Sequence, residues 1–87
     1  MESVTVTLYS RPGCHLCESA LTTLQGLREK LASLAEIEIS EISIASDPVL
    51  EKKYSDYIPV ILINDQPHDF YAVNEDRFIA AIEEIVN

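Results

Sequence analysis

The chain carries two cysteines, Cys14 and Cys17, three positions apart in the run Leu8-Tyr9-Ser10-Arg11-Pro12-Gly13-Cys14-His15-Leu16-Cys17. They fall where an extended, β-rich segment hands over to a helical pattern. Residues i and i+3 of a helix share one face, with Cβ atoms roughly 5–6 Å apart, a spacing that suits a disulfide. A helix N-terminus carries partial positive charge, which favours a thiolate over a thiol. The pattern therefore predicts a reversible dithiol. Cys14 is the expected exposed nucleophile, and Cys17, one turn deeper, the resolving thiol. Arg11, and His15 when protonated, would favour the Cys14 thiolate by charge, and Glu18 would oppose them. His15 could equally be an exposed loop histidine and Arg11 a solvated surface cation. No metal is expected. Cys14, His15 and Cys17 are crowded for tetrahedral ligation even with His68 added, and the chain supplies few thiolates for an iron–sulfur cluster.

The elements that must hold these residues can be read along the chain. Val4 to Tyr9 alternates and is rich in β-branched and aromatic residues, which predicts a strand. From Leu16 the apolar positions Ala20, Leu24, Leu27, Leu31 and Leu34 form a helical stripe, interrupted by Gly26. Glu36 to Ile44 reads as a second strand whose apolar phase slips near Ser40-Glu41, predicting a bulge or a strand end there. Asp47-Pro48 looks like an N-cap followed by a first-turn proline, opening a short helix to about Tyr54. Pro59 opens a third strand to Ile63. Asn64 to Pro67 turns the chain, and His68 to Tyr71 returns as an edge strand. Asn74 caps a last helix with Phe78, Ile79, Ile82, Ile85 and Val86 on one face. The order is β-α-β-α-β-β-α. The first two strands should be parallel, through a right-handed crossover, and the last two antiparallel.

The composition limits what such a chain does. With 87 residues it predicts a single domain over residues 1–87. Fifteen acids against six bases give a net charge of −9, which argues against nucleic acid and against anionic membrane surfaces. Met1-Glu2-Ser3 shows no basic or apolar leader pattern, and the longest apolar run, Ile58 to Ile63, is too short to span a bilayer. A cytoplasmic, reducing location is expected, where a Cys-x-x-Cys pair reads as catalytic rather than structural.

Cys14-His15-Leu16-Cys17 after a first strand, with Ile58-Pro59-Val60 opening the third, resembles the thioredoxin superfamily, and within it the glutaredoxins. The run Tyr9 to Cys14 is most similar to the small glutaredoxin-like proteins of bacteria. The resemblance implies an α/β, thioredoxin-like fold: a four-stranded mixed sheet with helices on both faces. It also implies that the Ile58–Pro59 bond is cis and faces the cysteine loop, leaving the Ile58 backbone free to pair with an extended substrate. Tyr57, just before it, is the aromatic residue best placed for substrate contact. Arg11 stands where glutaredoxins often carry a lysine that meets the glutathione carboxylate.

Two departures shape the expected activity. Glutaredoxins usually show a Gly-Gly pair after the fourth strand; here the region reads Asp69-Phe70-Tyr71-Ala72-Val73-Asn74-Glu75-Asp76. Thioredoxins carry a buried acid six residues before the first cysteine, where this chain has Leu8. The expected function is that of a monomeric dithiol oxidoreductase reducing protein disulfides, with no bound cofactor and with electrons from glutathione or a thioredoxin system. A glutathione-dependent glutaredoxin, with glutathione as co-substrate, is the enzymatic alternative. A redox-sensing or binding module without turnover is the other.

Overall fold

Strand β1 (Glu2–Ser10) forms the spine of the sheet, because its alternating residues can bury both faces. Val4, Val6 and Leu8 point into one core, while Thr7 and Tyr9 face the other way. The protein is represented by a computed structural model that describes residues 2–87. After β1 come helix α1 (His15–Lys30), strand β2 (Ala35–Ser43), a single 3₁₀ turn (Ile44–Ser46) and helix α2 (Pro48–Tyr54). Strands β3 (Val60–Ile63) and β4 (Gln66–Phe70) and helix α3 (Glu75–Val86) complete the chain. The strand order is β2-β1-β3-β4, with β1 parallel to β2 and antiparallel to β3, and β3 antiparallel to β4.

The sheet has helices on both faces, unequally. Ala20, Leu24 and Leu27 of α1 and Phe78 and Ile82 of α3 close the main core over Val4, Val6, Leu8, Ile61 and Ile63. On the opposite face Tyr54 of α2 packs with Val60 and Leu62 in a smaller cluster. Its ring stacks on Tyr9 with centroids 5.0 Å apart. The helix starts are capped by side chains, as their residue types suggest. Asp47 accepts from the N–H groups of Val49 and Leu50, and Asn74 from that of Arg77.

Several local expectations are corrected. No bulge interrupts β2: its parallel register against β1 is continuous from Glu2 opposite Ala35 to Ser10 opposite Ser43. The change of apolar phase has another origin. Glu41 takes a core-facing position, Ile42 points out to solvent, and Ile44 becomes buried only after the chain has left the strand. The ladder irregularity lies instead between β3 and β4, where Ile61 pairs with Asp69 but Leu62 with Pro67, so His68 is the extra residue. Proline cannot donate to a ladder, and an edge strand tolerates it. The turn before β4 is shorter than predicted. Asn64 and Asp65 make it alone, at φ 48° and 68°, the double left-handed conformation of a tight hairpin. The α1 stripe starts at Cys17 rather than Leu16, whose side chain is 58% exposed.

Gly26 has no packing reason for being glycine, since a Cβ there would meet nothing within 4 Å. Gly26→Ala is therefore expected to raise stability by about 0.5–1 kcal/mol through the lower entropy of the unfolded chain. An increase in the urea midpoint without a change in slope would register it.

His68 sits between the edge strand and α3, with its ring edge-on to Phe78 at 6.1 Å and its Nε2 buried without a hydrogen-bond partner. Arg77 donates to the His68 carbonyl at 3.1 Å and pairs with Asp69 at 3.3 Å. Burial holds the His68 pKa below its ordinary 6.5; the Arg77 charge adds to this and Asp69 opposes it. A depressed value means that the folded state resists a proton the unfolded chain accepts. The stabilisation is complete above pH 6.5 and is lost as pH falls through the folded pKa. His68→Gln should lose this part of the acid slope, so the stability difference between wild type and variant should change with pH below 6.5 and stay constant above it. Parallel stability curves across that range would contradict the assignment.

Candidate active site

The cysteine pair stands at the end of β1, where the chain must turn back over the sheet. Gly13 makes the turn possible: its φ is 77°, a region that L side chains rarely enter. Cys14 is then extended and occupies the N-cap of α1, a place usually held by Ser, Thr, Asp or Asn. Its sulfur accepts the Cys17 backbone N–H at 3.2 Å. The Cys14 carbonyl accepts the Glu18 N–H at 3.1 Å. Cys14 and Cys17 are disulfide-bonded, with Cα atoms 5.2 Å apart. Cys17 is 2% exposed, whereas Cys14 is half-buried. One sulfur is therefore open to a partner and the other is not. The N–H at the Cys14 sulfur and the helix end behind it both favour negative charge there.

A cleft of about 540 Å³ opens beside the pair, walled by Ser10, Arg11, Cys14, Cys17, Glu18 and Glu41 among others. The Arg11 guanidinium is engaged by Glu51 of α2 at 2.6 Å, tying the cysteine loop to that helix. The His15 side chain is 96% exposed, with its Nδ1 3.4 Å from Glu18 Oε2. The Ile58–Pro59 peptide is cis. Pro59 is buried, and its carbonyl accepts the Tyr71 N–H at 2.8 Å. Among the described residues, neither main-chain group of Ile58 takes a backbone partner. Tyr57 lies in an apolar groove with Lys53, Tyr54, Phe70 and Tyr71, none of which lines the cysteine cleft. The Tyr57 ring lies 5.8 Å from Phe70 and 6.4 Å from Tyr71.

The structure thus places Arg11, Cys14 and Cys17 around one cleft and puts Tyr57 in a second. His68 lines neither. Reading the sequence missed four residues. Glu51 was not seen as the partner of Arg11, nor Phe70 and Tyr71 as companions of Tyr57. Glu41 also escaped notice; its Oε2 accepts the Ser10 hydroxyl at 3.1 Å inside the cysteine cleft. The signal for Glu41 was present as the phase slip in β2. A carboxylate on the core-facing side of a strand marks the point where the core gives way to a polar cleft.

Comparison with known proteins agrees with this fold. The family described as Glutaredoxin-like domain (DUF836) matches residues 5–83. An uncharacterized protein of Mycobacterium tuberculosis is 28% identical over 78 residues, covering 88% of this chain and 80% of that protein. A protein of Nitrosomonas europaea, solved by NMR, superposes with a TM-score of 0.79 at 29% identity, covering 93% of each chain. One of X. campestris, solved by X-ray, does so at 0.71 and 25% identity, covering 91% of this chain and 96% of the other. Chloroplastic thioredoxin z shares the fold with a TM-score of 0.73 at 13% identity, over 97% of this chain and 79% of its own.

Proposed function

The chain belongs to the glutaredoxin-like domain family, and from that premise we propose that it reduces protein disulfides through the Cys14/Cys17 dithiol. The observation that carries this reading is the unequal burial of two bonded sulfurs at a helix N-cap. In the reduced protein the Cys14 thiolate attacks one sulfur of a substrate disulfide. The substrate S–S bond breaks, a Cys14–substrate disulfide forms, and one substrate thiol leaves. Cys17 then attacks Cys14 Sγ, forms the internal disulfide and releases the second thiol. The substrate gains two electrons, and an external thiol donor, glutathione or a thioredoxin system, restores the dithiol. No bound cofactor is required.

In this reading the Ile58 backbone pairs with an extended substrate segment, the buried cis Pro59 fixes that backbone in place, and Tyr57 contacts the substrate from its own apolar groove. Arg11 contributes as a cation only in part, because Glu51 shares its charge. His15 tunes Cys14 from solvent. The protein acts as a cytoplasmic monomer. No helix of the described residues is long and apolar enough to cross a membrane, and a charge of −9 disfavours nucleic acid. A reductant panel tests the reading. Oxidised protein is mixed with glutathione, or with a thioredoxin system, and insulin disulfide reduction is followed. Turnover with at least one donor is expected. Absence of turnover with both would leave the redox-sensing alternative. Efficient turnover of small glutathione mixed disulfides would make the protein a glutathione-dependent glutaredoxin.

A further inference from the structure

The dithiol chemistry leaves one proton without a destination. Cys17 must become a thiolate before it can close the ring, yet it is 2% exposed, and burial disfavours a thiolate. Water reaches it poorly, so the base must come from the walls of the cleft. Three ionisable groups besides the cysteines line that cleft. Arg11 is a cation and is bound to Glu51 of α2. Glu18, on α1, lies beside His15 at the helix surface, with its side chain 73% exposed. Glu41 comes from β2, and among the described residues no cation pairs with it. Ser10, itself buried, holds the Glu41 carboxylate at 3.1 Å. The parallel register puts Ser10 opposite Ser43 and Leu8 opposite Glu41, so Ser10 and Glu41 share the face of the sheet that α1 covers.

We infer that Glu41, oriented by Ser10, is the proton acceptor for Cys17 in the ring-closing step. The inference rests on the proposed dithiol mechanism. The balance is simple. As Cys17 attacks Cys14 Sγ, its S–H proton passes to the Glu41 carboxylate, the mixed disulfide breaks, and the substrate leaves as a thiolate. Glu41 is solvent-exposed as a residue and returns the proton to bulk water. In the reverse direction, when an external thiol opens the internal disulfide, the protonated carboxyl neutralises the departing Cys17 thiolate.

The two steps separate with one equivalent of dithiobis(nitrobenzoate), which releases one coloured thiolate when Cys14 attacks and a second when Cys17 closes the ring. In stopped-flow, Glu41→Gln should leave the first release unchanged and slow the second by about tenfold to a hundredfold near neutral pH. The deficit should shrink as pH rises and vanish above roughly pH 10, where hydroxide removes the thiol proton directly. Ser10→Ala should show a smaller slowing of the same phase, and Glu41→Asp a partial recovery. The unchanged first phase and an unchanged thermal midpoint establish that the variant is folded. A second release within twofold of wild type at every pH, or equal slowing of both phases, would overturn the assignment. Absence of any second release from the wild-type protein would instead reject the dithiol mechanism itself.

Discussion

Cys14→Ser is expected to abolish disulfide reduction, lowering turnover by at least about a thousandfold, because a serine hydroxyl is not ionised at neutral pH and cannot replace a thiolate nucleophile. Cys17→Ser should behave differently. Its Cys14 keeps the N-cap position and the backbone N–H that favour a thiolate, so attack proceeds, but no second sulfur releases the product. A stoichiometric mixed disulfide should accumulate, visible by mass and cleaved by excess reductant. The exposure of the two sulfurs sets this order, with Cys17 buried and Cys14 half-buried. The reverse result, a trapped adduct in Cys14→Ser and none in Cys17→Ser, would assign the roles the other way round.

The second large effect concerns stability. Phe78 is 0% exposed and, with Ile82, packs α3 into the core formed with α1, β1 and β3. Phe78→Ala should cost about 3–5 kcal/mol through lost burial and the cavity left behind. Small domains are stable by only about 5–15 kcal/mol, so the thermal midpoint should fall by roughly 12 °C or more. Phe78 also contacts the His68 ring, so the same variant should weaken the acid dependence attributed to His68. A loss below about 1 kcal/mol would mean that α3 contributes little to the core.

Much of this architecture was legible before folding was considered. The alternation of Val4, Val6 and Leu8, the caps Asp47 and Asn74, and the helical spacing of Ala20, Leu24 and Leu27 are local patterns, and each appears where its residue types predict. The failures share a cause. Leu16 fits the helical period, but it is exposed, and the buried face of α1 begins one position later, at Cys17. The slip in β2 suggests a bulge or a strand end, whereas Glu41 occupies a regular strand position opposite Leu8, where its carboxylate meets the Ser10 hydroxyl at the edge of the cleft. Period alone reports which residues share a face, not whether another element covers that face.

The sequence alone determined the Cys14/Cys17 pair, its place at the start of a helix and the order of the elements, since these depend on neighbours within a few positions along the chain. Only the tertiary structure decided which charges surround the sulfurs. Glu51 reaches Arg11 across 40 residues, and Glu41 reaches Ser10 across 31. Both contacts exist because the sheet and α2 bring distant segments together at the carboxyl ends of two parallel strands. Electrostatic interactions weaken steeply with distance in water, so which carboxylates act on a thiol depends on packing rather than on composition.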